Sequence, residues 1–151
     1  MKTQTSQAKA KTVDFSNVIL GRAASKVAKA LMQGEKVTIV NAEKAVIRGT
    51  KTGVMQKFNR RQGWTAKGNT QLRSANMSRM PDRLVKWTIK HMLPTEKSSG
   101  QTALDRLEVY IGIPSRFEKN IEKWPEFENK EKKNCWTMEK ISHELGWDAK
   151  G

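Results

Sequence analysis

Residues 44–79 contain no aspartate and no glutamate, although nine lysines and arginines stand in the same 36 positions. A solvent-facing segment ordinarily mixes both signs to limit self-repulsion, so this one requires negative charge from elsewhere. Cysteine is nearly missing too. A single Cys135 excludes an internal disulfide framework and points to a reducing compartment; among polar neighbours it reads as an incidental thiol. No apolar run approaches the roughly 18 residues of a membrane span. The first twelve residues lack the apolar region of a secretory signal and contain no arginine, contrary to a transit peptide. Residues 1–12 are expected to form a disordered, weakly basic arm, and the protein to be cytoplasmic.

Catalytic signatures are equally scarce. Neither GxxxxGK[ST] nor GxGxxG occurs, so no phosphate-cradling loop of those types is present. His91 and His143 are the only histidines, and neither HExxH nor Cys/His metal spacing surrounds them. The acids of the basic portion (Asp14, Glu35, Glu43, Asp82, Glu96, Asp105 and Glu108) form no close pair of the kind that metal-assisted phosphodiester cleavage needs. The expectation is no enzyme, no cofactor and no metal.

What is there is positive charge, unevenly placed. The formal charge is +14, and residues 1–112 hold 21 basic against 7 acidic side chains while residues 113–151 hold eight of each. The first three quarters therefore carry the whole excess, which ranks nucleic acid ahead of a membrane surface or an acidic protein as partner. At 151 residues the chain suits one domain with an appended tail.

Apolar periodicity supplies the elements. Residues 13–20 read as a strand entering a turn. Leu20, Ala23, Ala24, Val27, Ala28 and Leu31 then follow helical spacing with Gly34 as the stop, and Arg22, Lys26 and Lys29 mark the opposite face with no acidic partner on the helix. Val37, Ile39 and Val40 suit a buried strand, and residues 45–48 a second short one. Residues 50–61 have helical character weakened by Gly53. Residues 62–80 read as a long loop, expected to order on RNA, with Trp64 either stacking on a splayed base or plugging the loop onto the core.

Pro81-Asp82 opens the clearest helix, with proline at its first position and a carboxylate matching the dipole. Leu84, Val85, Thr88, Ile89 and Met92 are its expected buried stripe, with Arg83, Lys86, Trp87 and Lys90 opposite. A short helix near residues 103–106 precedes alternating Leu107, Val109, Ile111 and Ile113, a half-exposed strand. Alternating strands and helices give an α/β fold with a largely parallel sheet. From Pro114 the chain reads as an extended strap anchored by Phe117, Trp124 and Phe127. A short helix closes it, capped by Thr137, with Trp136 before it and Gly146 after, whose Met138, Ile141 and Leu145 should dock on the body or on a neighbour.

Any one lysine or arginine is most often just solvated. The collective excess, spread over several elements and a loop with no recognition-helix dimer or zinc module, suits folded RNA recognised by shape and backbone. The candidate RNA-contacting residues are Arg22, Lys26 and Lys29 on the first helix; Lys44, Arg48, Lys51, Lys57, Arg60, Arg61, Lys67, Arg73 and Arg79, with Trp64, in the acid-free segment; Arg83, Lys86 and Lys90 on the Pro81 helix; and Lys97 in the loop beyond it. A ribosomal component, a free RNA-binding regulator and a nucleic-acid-cleaving enzyme are the classes to separate.

One resemblance orders them. Ile89-Lys90-His91-Met92-Leu93-Pro94, five residues, Gly100-Gln101, five residues, then Leu107-Glu108-Val109-Tyr110-Ile111-Gly112 is similar to the defining motif of the large-subunit ribosomal protein thirteen family. Leu20-Gly21-Arg22-Ala23-Ala24-Ser25-Lys26-Val27-Ala28-Lys29, Val40-Asn41-Ala42-Glu43-Lys44 and Arg79-Met80-Pro81-Asp82-Arg83 resemble the same family in order. The closing residues 137–147, with Glu-Leu-Gly-Trp, resemble its archaeal-type extension. The resemblance implies a three-layer α/β/α core with a four-stranded parallel sheet over residues 13–113. It further implies an extension over residues 114–151, and a structural role that binds large-subunit ribosomal RNA and helps it fold during assembly. It carries Arg22, Lys26, Lys44, Arg83 and Lys90 as RNA contacts, and places neighbouring large-subunit proteins against the extension. His91 departs from the small or basic residue usual at its position.

Overall fold

The computed structural model describes residues 10–62, 78–131 and 133–148. The expectations for residues 1–9, for most of the 62–80 loop and for Trp64, Lys67 and Arg73 lie outside the described residues.

Four strands form one parallel sheet: β1 (Ala10–Asp14), β2 (Lys36–Val40), β4 (Leu107–Val109) and β5 (Ile121–Lys123), in the spatial order β4-β2-β1-β5. Helices α1 (Leu20–Met32), α2 (Lys51–Gln62), α3 (Pro81–Lys90), α4 (Ser98–Asp105) and α5 (Met138–Glu144) complete the chain, with β3 (Val46–Arg48) and β6 (Cys135–Thr137) paired antiparallel as a separate ribbon. The α/β class stands. In β2, Val37 to Val40 are all buried, which needs cover on both faces of the sheet, as parallel sheets normally have.

Sheet membership differs from the periodicity in one respect. The short strand after Asn41 leaves the main sheet and pairs with β6, and β5 of the extension takes the fourth place beside β1. Apolar alternation marks a strand but not its neighbour, because pairing is settled by distant backbone. β1 also begins at Ala10, inside the stretch assigned to the arm, since Ala10, Lys11 and Thr12 find partners at Lys36, Val37 and Thr38.

The first helix folds as its spacing requires: Leu20, Ala23, Ala24, Val27, Ala28 and Leu31 are buried, and Gly34 adopts φ +93°. The Gly34 and Glu35 N–H groups donate to the Leu31 and Ala30 carbonyls, a Schellman end. Thr50 starts α2 by accepting from the Gly53 N–H at 3.3 Å, which offsets the weak glycine, and Val54, Met55 and Phe58 form its buried side. In α3, Pro81, Leu84, Val85 and Ile89 are buried, but Met92 is 41% exposed because the helix ends at Lys90 and the turn swings it outward. Ile111 and Ile113 are also exposed, since β4 stops at Val109 and the chain bends at Gly112, φ +68°.

The segment after β2 ties the strand ends together. Asn41, with φ +55°, donates its N–H to the Gly112 carbonyl, and the Gly112 N–H donates to Glu43 Oε2 at 3.1 Å. The Asn41 side-chain amide donates to buried Asp14 at 2.8 Å. Two members of the Val40-Asn41-Ala42-Glu43-Lys44 motif are therefore structural, while Lys44 faces solvent.

The extension is laced to the body throughout. Trp124 is buried and meets Phe127 edge-on, and Phe117 packs on Tyr110. The Ile19 N–H donates to the Phe127 carbonyl, so the strap crosses the start of α1. Thr137 caps α5 by accepting from the Lys140 N–H, and Met138, Ile141 and Leu145 are buried in the main core. That apolar face docks on the body.

Candidate nucleic-acid interface

Amphipathic geometry places the cations. Because the buried residues of α1 occupy one stripe, Arg22, Lys26 and Lys29 are left on its exposed side; the same logic exposes Lys51, Lys57 and Arg60 on α2 and Arg83, Lys86 and Lys90 on α3. Lys44, Arg48, Arg79 and Lys97 are exposed in connecting segments and at the end of β3. Helices α1 and α3 pack on each other, so two of these cationic faces are neighbours. Arg61 lies in the last turn of α2.

Several candidates are not free for RNA in this state, and the reason is the extension. Lys26 pairs with Glu126 and sits 4.4 Å above the Trp124 ring. Arg48 pairs with Glu131, and Lys51 lies 2.7 Å from Glu144 and over Trp136. Arg79 places its guanidinium beside Gly146 at the end of α5, where the carbonyl end of the helix dipole is negative. The expectation that the α1 cations have no acidic partner thus holds along the helix and fails across the fold. All three ion pairs are at the surface, with side chains 41–62% exposed, so water screens them. Among the described residues no carboxylate lies within ion-pair distance of Arg22, Lys29, Lys57, Arg60, Arg83, Lys86, Lys90 or Lys97.

The two perturbed acids belong to the scaffold. Burial opposes ionisation of Asp14, but donation from Asn41 and Ser16 and the charge of Lys123 outweigh it and hold the carboxyl below its ordinary value. Glu108 is lowered chiefly by its contact with Lys36, 2.7 Å away. No group of three His, Cys, Asp or Glu able to hold a metal occurs among the described residues. Nor is any described helix long and apolar enough to cross a membrane.

The tertiary structure adds a cleft that periodicity did not anticipate. Its volume is about 500 Å3, and it opens between the start of α1, β3, α2 and the end of α3. Leu20, Val46 and Phe58 form an apolar floor, Arg48 and Lys57 stand at its edge, and Trp87 and His91 form a wall with ring centroids 3.9 Å apart. The sequence did hold a signal for that wall, since positions 87 and 91 are four apart and share one helix face. Lys29 and Lys97 do not line it.

Comparison with known proteins is consistent across the chain. Residues 8–116 match the family model described as Ribosomal protein L13. A protein of Picrophilus torridus named "Large ribosomal subunit protein uL13" is 42% identical over 137 residues, covering 89% of this chain and 95% of its own. The protein of that name from Saccharolobus solfataricus is 36% identical over 139 residues, 91% of this chain and 93% of its own. The one from Methanococcoides burtonii is 41% identical over 108 residues, 70% and 73% respectively.

Proposed function

The chain belongs to the ribosomal protein L13 family, and on that premise we propose that it is a structural constituent of the large ribosomal subunit. It binds large-subunit ribosomal RNA and helps it fold during assembly, through the basic faces of α1, α2 and α3 and the acid-free segment between residues 44 and 79. It has no catalytic role. Residues 13–113 hold the RNA, and residues 114–151, which add β5 to the sheet, brace them.

One observation supports this reading above the rest: α1 and α3 pack together with Arg22, Lys29, Arg83, Lys86 and Lys90 exposed and, among the described residues, without an acidic partner, outside an apolar core. Such a surface is costly to the isolated chain and is neutralised by converging phosphates, whose bound counterions are released on contact. Neighbouring subunit proteins meet the extension on its charged side, because Met138, Ile141 and Leu145 are already buried against the body.

The test is binding of the full chain to a transcript of the large-subunit RNA over a range of salt. The logarithm of affinity should fall steeply with the logarithm of salt. The Arg83→Ala/Lys86→Ala/Lys90→Ala variant should flatten that slope by about one for each phosphate it no longer neutralises. In cell extracts the protein should sediment with large subunits at near one copy each. Indifference to the transcript at low salt, or sedimentation only as free protein, would sink the reading.

A further inference from the structure

The cleft between α1, β3, α2 and α3 has a composition that general phosphate binding does not explain. We propose that it receives one unstacked nucleobase of the RNA, with the Trp87–His91 pair as its stacking wall; the inference rests on the RNA-binding reading above.

Three features select this occupant. The first is size: about 500 Å3 lies within the roughly 300–1,000 Å3 of pockets that enclose small molecules, and a single base with its sugar is an object of that class. The second is the surface. Leu20, Val46 and Phe58, each under 5% exposed, make a floor with no charge on it, suited to the face or edge of a flat heterocycle. The Trp87 and His91 rings, inclined at 41°, form a wall of the kind on which splayed bases stack. The third is charge. Arg48 and Lys57 line the cleft and no carboxylate does among the described residues, so the polymer entering it is anionic next to its apolar part. An apolar peptide would use the floor and leave Lys57 unanswered, while Arg48 would keep its exposed pair with Glu131, which a phosphate can replace.

His91 is held ready for this role. The Trp87 carbonyl can only accept, so His91 Nδ1, 2.9 Å away, donates to it. That bond orients the ring for stacking. His91 is exposed and caps the end of α3, so its replacement does not open the core.

The experiment measures binding of the full chain and its variants to the large-subunit RNA transcript, with melting temperature as the control for folding. His91→Ala should weaken binding about tenfold, the order of one base–aromatic stack, without changing the slope of log affinity against log salt. His91→Phe, which keeps a flat ring but no nitrogen, should recover most of that affinity. Lys57→Ala should instead lower the slope by about one. Wild-type affinity in His91→Ala would overturn the proposal, and would be the result if a neighbouring protein segment filled the cleft. So would equal weakening in the alanine and phenylalanine variants, or a weakening that vanishes at high salt. Failure of the wild-type chain to bind the transcript would overturn the RNA-binding reading and this inference together, whereas the other negative results leave that reading standing.

Discussion

Lys51 Nζ lies 2.7 Å from Glu144 Oε1, a contact across 93 residues of sequence. With Lys26–Glu126 and Arg48–Glu131 it shows where the acids missing from residues 44–79, and from the α1 face, are found. The neutral last quarter of the chain lies against the basic part and lends it counter-charge. These pairs are exposed and weak, so phosphates can replace them without a large cost.

Removing that counter-charge gives the first prediction. Glu126→Gln/Glu131→Gln/Glu144→Gln raises the formal charge by three and frees Lys26, Arg48 and Lys51. Binding to unrelated RNA at low salt should tighten several-fold and the advantage should shrink as salt rises. Melting temperature should move by only a few degrees. Unchanged affinity for unrelated RNA at low salt would show that the three cations lie outside the RNA-facing surface.

Asp14 yields a pH dependence whose sign follows from its lowered pKa. Its unfolded value is near 3.8 and its folded value is lower, so ionised Asp14 contributes stability that is present above about pH 4 and is lost as pH falls through the folded value. Asp14→Asn should be less stable than wild type at pH 7, and the gap should narrow on acidification below pH 4. Urea unfolding at pH 7 and pH 3 measures it, and a gap that widens toward acid would contradict the assigned direction.

Gly100 is fixed by proximity. A Cβ at this buried position would come within 2.1 Å of the Pro94 carbonyl oxygen, and the neighbour is backbone that cannot rotate away. Gly100→Ala should destabilise by about 1–3 kcal/mol or more, and denaturant titration is the check. A neutral result would mean that the turn from Leu93 to α4 relaxes freely.

Ser142 runs the other way. Its hydroxyl is fully buried in α5 with no hydrogen-bond partner among the described residues. A buried unsatisfied polar group costs about 1–3 kcal/mol, and alanine is the better helix former. Ser142→Ala should therefore raise stability by about 1 kcal/mol or more, seen as a higher melting temperature. A drop would reveal a partner for the hydroxyl in solution.

Much of the architecture was legible because its signals are local. The α1 stripe, the Gly34 and Gly146 helix ends, Pro81 at the start of α3 and Thr137 as a cap all depend on residues a few positions apart, and each takes the expected conformation. The exposed cations of α1 and α3 follow from the same periodicity. Met92, Ile111 and Ile113 escaped it, since an apolar pattern does not reveal where a helix or strand stops being covered.

Composition and spacing alone determined that this chain has an apolar core and a cationic outside, because those properties sit in residue types and near neighbours. Only the tertiary structure decided that β5 completes the sheet while β3 leaves it, that Glu126, Glu131 and Glu144 come to rest on Lys26, Arg48 and Lys51, and that Trp87 and His91 wall a cleft floored by Leu20, Val46 and Phe58. Each of those joins residues tens of positions apart. Such pairings are selected by the packing of the whole chain, and no window of neighbouring residues contains them.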